Sequence, residues 1–172
     1  MVLWYNIGML KPILDKIKSW WNQSLVLENH AIRLLLVYRL TQPNEEHWLP
    51  SMIFDIEEKS SGKIIGRCDL RFGMNPYMWY MGNVGYVIYP PYRGHGYAMM
   101  ATQLMMDLAK ESMDELIITC NPDNMPSIKT IERVGGVLLG IEDVPLGHEL
   151  HQQGEGVKCI YKVKLKERGS YD

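Results

Sequence analysis

Apolar positions recur along this chain with two different periods, and the change of period divides it into elements. From Met1 to Asn22, Ile7, Leu10, Leu14, Ile17 and Trp21 fall at helical spacing with Lys11, Asp15, Lys16 and Lys18 elsewhere around the wheel, which predicts an amphipathic helix over 1–22. Ile32 to Leu40, Met52 to Ile56 and Lys63 to Phe72 read as strands, the last two joined by a turn at Lys59 to Gly62. In the third of these, alternation puts Arg67, Asp69 and Arg71 on one face and Ile64, Cys68, Leu70 and Phe72 on the other. Tyr86 to Tyr89 is a short buried-strand run stopped by Pro90 and Pro91. Ala101, Leu104, Met105, Leu108 and Ala109 then return to helical spacing. Leu116 to Cys120 is a further strand, and Asn124, Pro126, Gly135 and Gly136 mark the start and stop of a second helix. Val137 to Ile141 and Val157 to Leu165 close the chain as strands, the latter half-exposed because lysines alternate with its apolar residues.

The junction between the Tyr86 run and the helix after it carries the clearest chemistry. A strand, the turn RGHGYA and a helix start come directly one after another. A helix start exposes backbone N–H groups and the positive end of the helix dipole, so it favours phosphate oxygens. Gly94 and Gly96 lack the β-carbons that would hold a phosphate away, and Arg93 adds a charge that either meets the ligand or braces the turn. A P-loop requires Lys and Ser or Thr after its last glycine, where this chain has Tyr97 and Ala98. The dinucleotide fingerprint requires a third glycine, where this chain has Met99.

The remaining pattern, Arg93, Gly96 and Ala98 in RxxGxA, resembles the acetyl-CoA loop of the GNAT N-acetyltransferases, and the segment NPDNMPSIKTIERVGG resembles the family's second motif. The resemblance spans about Asp69 to Leu165. It implies an α/β (α+β) fold, with a mixed, mostly antiparallel central sheet of about six to seven strands flanked by helices and acetyl-CoA held at the splayed middle strands. By position it implies cofactor contacts from Val87, Ile88 and Tyr89, from Arg93, Gly94, His95, Gly96, Tyr97 and Ala98, and from Asn124 and Ser127. The activity implied is transfer of an acetyl group from acetyl-CoA to a primary amine of a small molecule or a protein. A non-catalytic acyl-CoA binding module or sensor is the alternative, because two groups usual in the family are replaced. Asn83 stands where a glutamate base is common, and Ile131 where a tyrosine acid is common. Either His148, Glu149, Asp69 or Tyr161 supplies the proton transfers, or positioning and solvent suffice.

Several segments keep open readings. The face bearing Asp69 and Arg71 is either solvated or lines the acceptor cleft, and Asn75 opens an aromatic loop that is either a lid or a packed hairpin tip. The resemblance normally places covering helices between the first two strands, yet only about ten residues separate them here, which shifts that role toward the N-terminal helix and the loop near Trp48. That helix covers the sheet, forms a homodimer contact or, least favoured, touches a membrane.

Composition narrows the classes further. A chain of 172 residues suits one domain spanning 1–172, with residues 84–136 as its cofactor-binding core. A net charge of −2 disfavours a nucleic-acid partner, and no apolar run is long enough to cross a membrane. The start lacks a cationic stretch and a small-residue cleavage site, so no secretory signal is predicted and the cytoplasm is the expected compartment. Cys68, Cys120 and Cys159 lack paired CxxC spacing and read as reduced core thiols, and no metal is expected.

Overall fold

The computed structural model describes residues 25–41 and 49–165, so the expected helix over 1–22 and the segment at Trp48 lie outside the described residues. Its first five strands run in sequence order as an antiparallel sheet: β1 (Val26–Glu28), β2 (Ile32–Leu40), β3 (Ser51–Glu58), β4 (Lys63–Arg71) and β5 (Val84–Ile88). A second antiparallel sheet holds β6 (Glu115–Cys120), β7 (Val137–Asp143) and β8 (Val157–Lys164) in the order β6-β8-β7. The eight strands among the described residues, with helices against them, make the α/β (α+β) arrangement expected. Among the described residues, four helices are interspersed: α1 (Met78–Met81), α2 (Tyr97–Ala109), α3 (Met125–Arg133) and α4 (Glu149–Gln152).

Helix α2 lies against β2, β4 and β5. It buries Ala101, Met105 and Leu108 on Ile32, Leu34, Phe54, Cys68 and Leu70, the alternate residues that β2, β3 and β4 turn inward. The opposite face carries charged residues, among them Arg67, which pairs with Asp55 at 2.8 Å. Two sequence expectations fail for long-range reasons. Ile64 is exposed and Ile65 fully buried, because Ile56 pairs with Gly66 while Glu57 pairs with Ile64. Ile65 is thus the extra residue of a β-bulge, and the alternation flips there. The strand read as half-exposed is β8, the middle strand of its sheet, so even Lys158 is buried, its Nζ donating to Asn121 Oδ1 at 2.8 Å and to Glu155.

Among the described residues, the backbone hydrogen bonds between the two sheets run through one residue. Asn83, just before β5, is 2% exposed. Its backbone N–H donates to Ile117 O at 2.6 Å and its carbonyl accepts from Arg71 N–H at 2.8 Å. Its side chain repeats the bridge: Oδ1 accepts from Ile117 N–H at 2.7 Å, while Nδ2 donates to Arg71 O at 3.0 Å and to Gly73 O at 2.7 Å. Beyond Asn83, β5 stays paired with β4 and β6 with β8, and among the described residues no backbone hydrogen bond joins β5 to β6. The strands therefore open into a wedge downstream of this residue.

Asn83→Ala would strand Ile117 N–H, Arg71 O and Gly73 O in a buried site. The expected loss is about 3 kcal/mol of stability, read as a melting temperature lower by roughly 10 °C. A change under about 0.5 kcal/mol, the size of an ordinary surface substitution, would show that the two sheets do not depend on this amide.

Candidate active site

The turn after β5 is shaped so that its backbone, rather than its side chains, faces outward. A short 3-10 turn at Pro90–Tyr92 ends the strand, and Arg93 Nε donates back to Ile88 O at 2.9 Å, so its guanidinium braces the turn. Gly94 (φ 85°) and Gly96 (φ 77°) take the left-handed conformation that residues with a β-carbon rarely adopt. A β-carbon at either would meet no atom within 4 Å, so the space beside them is open. Helix α2 begins at Gly96 without a side-chain cap. From Gly94 to Met99 no backbone N–H finds an acceptor among the described residues. His95 stacks on Tyr97 at 5.6 Å, and the Tyr97 hydroxyl donates to Glu58 on the β3–β4 turn. Hydrogen bonds from Ser61 and Tyr97 hold the Glu58 carboxyl below its usual range. Arg93 to Gly96 thus form the turn and Tyr97 and Ala98 open α2 directly after it, with Arg93, His95 and Tyr97 holding the turn in shape.

The opened edge of β5 supplies a second set of backbone groups. Pairing with β4 uses alternate residues: Arg71 N–H bonds Asn83 O, and Tyr89 N–H bonds Ile65 O at 2.9 Å. The amides of Gly85, Val87 and Tyr89 accordingly face β4, and those of Tyr86 and Ile88 face the wedge. Of the three strand positions expected to hold the cofactor, only Ile88 turns its amide to the opening. Val87 and Tyr89 spend theirs on β4, and Tyr86 takes the vacant place.

Across the wedge stands the start of α3. Asn124 caps it, Oδ1 accepting from Ser127 N–H at 3.2 Å, which leaves its Nδ2 facing outward from an exposed residue. Ser127 Oγ lies 2.9 Å from the Tyr86 hydroxyl, and either can donate. Burial pushes the Tyr86 phenol up, with hydrogen bonds to Ser127 and Thr130 opposing it. Sequence reading did not single out Tyr86. The available signal was a tyrosine inside a run read as buried, where its hydroxyl needs a partner.

The remaining candidates divide. Asp69 lies opposite Gly85, where a β-carbon would come within 2.4 Å of Asp69 Oδ1, so the glycine makes room for the carboxylate against β5. Arg71 Nη2 pairs with Asp69 Oδ2 at 2.7 Å, and its Nη1 donates to Gly82 O at 3.1 Å. Burial raises the Asp69 carboxyl, and Arg71 partly offsets this. Asn75 caps α1, Oδ1 accepting from Met78 N–H at 2.7 Å.

His148 is 4% exposed and caps α4, with Nδ1 accepting from Leu150 N–H at 3.2 Å and Nε2 2.9 Å from Tyr77 O. The ring also stacks on Tyr77 at 4.1 Å. Both nitrogens are thereby engaged, beside α1 and at the far end of β5 from the glycine turn, and Glu149 sits next to it in the first turn of α4. Ile131 is fully buried and Tyr161 is 4% exposed within the core. Burial pushes the Cys68 thiol up, and that of Cys120 to about 11, which leaves little thiolate at neutral pH. Among the described residues, no three His, Cys, Asp or Glu side chains gather around a metal position. No described helix is long and apolar enough to cross a membrane.

Known proteins share this fold. An uncharacterized N-acetyltransferase of Bacillus subtilis, YnaD, is 33% identical over 54 residues, which cover 30% of this chain and 32% of that protein. The chain is thus matched to about a third of that relative's length. The solved structure of a ribosomal-protein-S5-alanine acetyltransferase from Vibrio fischeri superposes with a TM-score of 0.60 at 15% identity, covering 83% of this chain and 98% of that one. A GCN5-related N-acetyltransferase from Brucella melitensis gives 0.58 at 17% identity, with 83% and 80% covered. At these identities the structures speak for the fold. The family model described as the acetyltransferase (GNAT) domain matches residues 15–137, well over half of the chain, and with it the glycine turn, the opened strand and the Asn124 cap. The protein belongs to the GNAT acetyltransferase family.

Proposed function

We propose that this acyltransferase moves an acetyl group from acetyl-CoA to a primary amine, carried by a small molecule or by a protein. The observation that supports this most is the run of unpartnered amides from Gly94 to Met99 beside open space. Six such N–H groups at a helix start suit a diphosphate, and a single helix-end interaction is worth only about 0.3–1 kcal/mol, so affinity requires the whole cradle. The Tyr86 and Ile88 amides on the open edge suit the amide-bearing arm of the same molecule, and Asn124 Nδ2 offers a further donor. Acetyl-CoA supplies an activated thioester. The chain's own contribution is to orient that carbonyl along β5 and to receive an amine beside it.

Asp69 is the carboxylate best placed for the amine. It lies against Gly85 on the sheet face opposite α2, one residue from Tyr86 along β5. Its raised affinity for a proton suits it to hold an ammonium group or take its proton. Arg71 keeps the carboxylate in place by pairing and by its bond to Gly82 O. We assign Arg71 and Asn75 to positioning, and His148 to capping, because their polar atoms are engaged within the fold.

Calorimetric titration with acetyl-CoA tests the cradle. Wild-type protein binds at micromolar concentration, and Gly94→Glu, whose β-carbon meets no atom within 4 Å but strains a left-handed turn and places a carboxylate among the amides, loses binding at least a hundredfold. Absence of binding by folded wild-type protein, or full binding by the variant, would overturn the reading. Asp69 yields a pH prediction. Its folded affinity for protons exceeds its unfolded one, so the native state binds more protons above about pH 4 and stability falls as pH rises through its titration. In urea melts at increasing pH, Asp69→Asn removes this decline relative to wild type. Parallel profiles would show that the carboxylate is not perturbed by burial.

A further inference from the structure

Breaking a thioester leaves a thiolate that needs a proton, and the fold brings hydroxyl groups to one point of the wedge. Tyr86 contributes to that point twice. Its backbone amide faces the opened edge of β5, and its side chain crosses to α3, where the hydroxyl lies 2.9 Å from Ser127 Oγ and 3.5 Å from Ser127 O. Resting on the acetyl-CoA reading above, we propose that Tyr86 is the proton donor to the departing sulfur, and that Ser127 is the positioning residue that orients and recharges it.

Three observations support this assignment over the alternatives. Asn83, one candidate position for proton transfer, spends both its backbone groups and its side-chain amide on joining the sheets. Ile131 has no proton to give and is fully buried. Tyr161 lies in the core at the centre of the second sheet, where burial raises its phenol. Tyr86 is instead half-buried at the wedge, and its partner Ser127 is half-buried in the first turn of α3. A phenol raised by burial stays protonated at neutral pH, as a donor must.

The step balances without another reagent. As the amine nitrogen bonds to the carbonyl carbon and the carbon–sulfur bond breaks, the sulfur takes the Tyr86 hydroxyl proton with its new electron pair. The phenolate recovers a proton from Ser127 Oγ, which is resupplied by water. The surplus proton on the amine leaves to a carboxylate or to solvent, so the protein ends as it began. Because a hydroxyl donates one hydrogen and accepts two, Tyr86 can face sulfur while Ser127 and Thr130 bond its oxygen.

The test uses free CoA, so it needs no acceptor. Ultraviolet absorbance of the thiolate tracks ionisation of bound CoA in wild type, Tyr86→Phe and Ser127→Ala, with affinities for CoA and for desulfo-CoA measured by calorimetry. A hydroxyl donating to sulfur stabilises the thiolate, so bound CoA ionises about tenfold more readily, one pH unit lower, in wild type than in Tyr86→Phe. Ser127→Ala retains part of the difference, and desulfo-CoA binds wild type and Tyr86→Phe alike. Identical thiol titrations in wild type and Tyr86→Phe, with CoA bound to both, would overturn the assignment while leaving the acetyl-CoA reading intact. Failure of wild type to bind CoA or desulfo-CoA would remove both. Should Tyr86→Phe not fold, an unchanged titration in Ser127→Ala would be the contrary result.

Discussion

The structure depends on one buried amide. Asn83 is both the last point at which the two sheets hold together and the point from which they separate. An asparagine suits this position because its side chain offers an acceptor on one atom and two donors on the other, so it can bond Ile117 on one side and Arg71 and Gly73 on the other. A glutamate could accept but not donate, and at this depth its charge would need a partner. The fold thus exchanges a titratable group for a structural bond, and the chemistry assigned to such a group must come from elsewhere.

Downstream of Asn83 the site is made largely of main chain. There β5 keeps β4 on one edge and leaves Tyr86 and Ile88 facing the wedge, and the glycine turn leaves a run of amides without acceptors. Unpaired backbone groups are costly when buried, so an exposed set at a helix start and a strand edge calls for a ligand or water. Side chains nearby act on the shape: Arg93 on Ile88 O, Tyr97 on Glu58, Asn124 on Ser127 N–H.

Local features were legible in the sequence. The turn at Gly94 and Gly96, the Asn124 cap and the strands β2 and β3 are set by neighbours a few residues apart, and the structure places them as the pattern implies. Features set by distant partners were not. The bulge that buries Ile65 depends on how β4 meets β3, and the burial of Lys158 depends on β7 and β6 flanking β8. His148 looked like a loop histidine available for proton transfer, because nothing near it in sequence announces Tyr77 as its partner. Tyr86 was hidden in the opposite way: it read as strand filler until α3 brought Ser127 to its hydroxyl.

A wedge clipped at Asn83 and lined by free amides that a ligand completes is tested most directly by amide hydrogen exchange with and without acetyl-CoA. Asn83 and Ile117 should be protected in both states, and Tyr86 and Ile88 should exchange freely alone and become protected when acetyl-CoA is added. Slow exchange of Tyr86 and Ile88 without ligand, or no gain in their protection at saturating acetyl-CoA, would contradict a wedge of this kind.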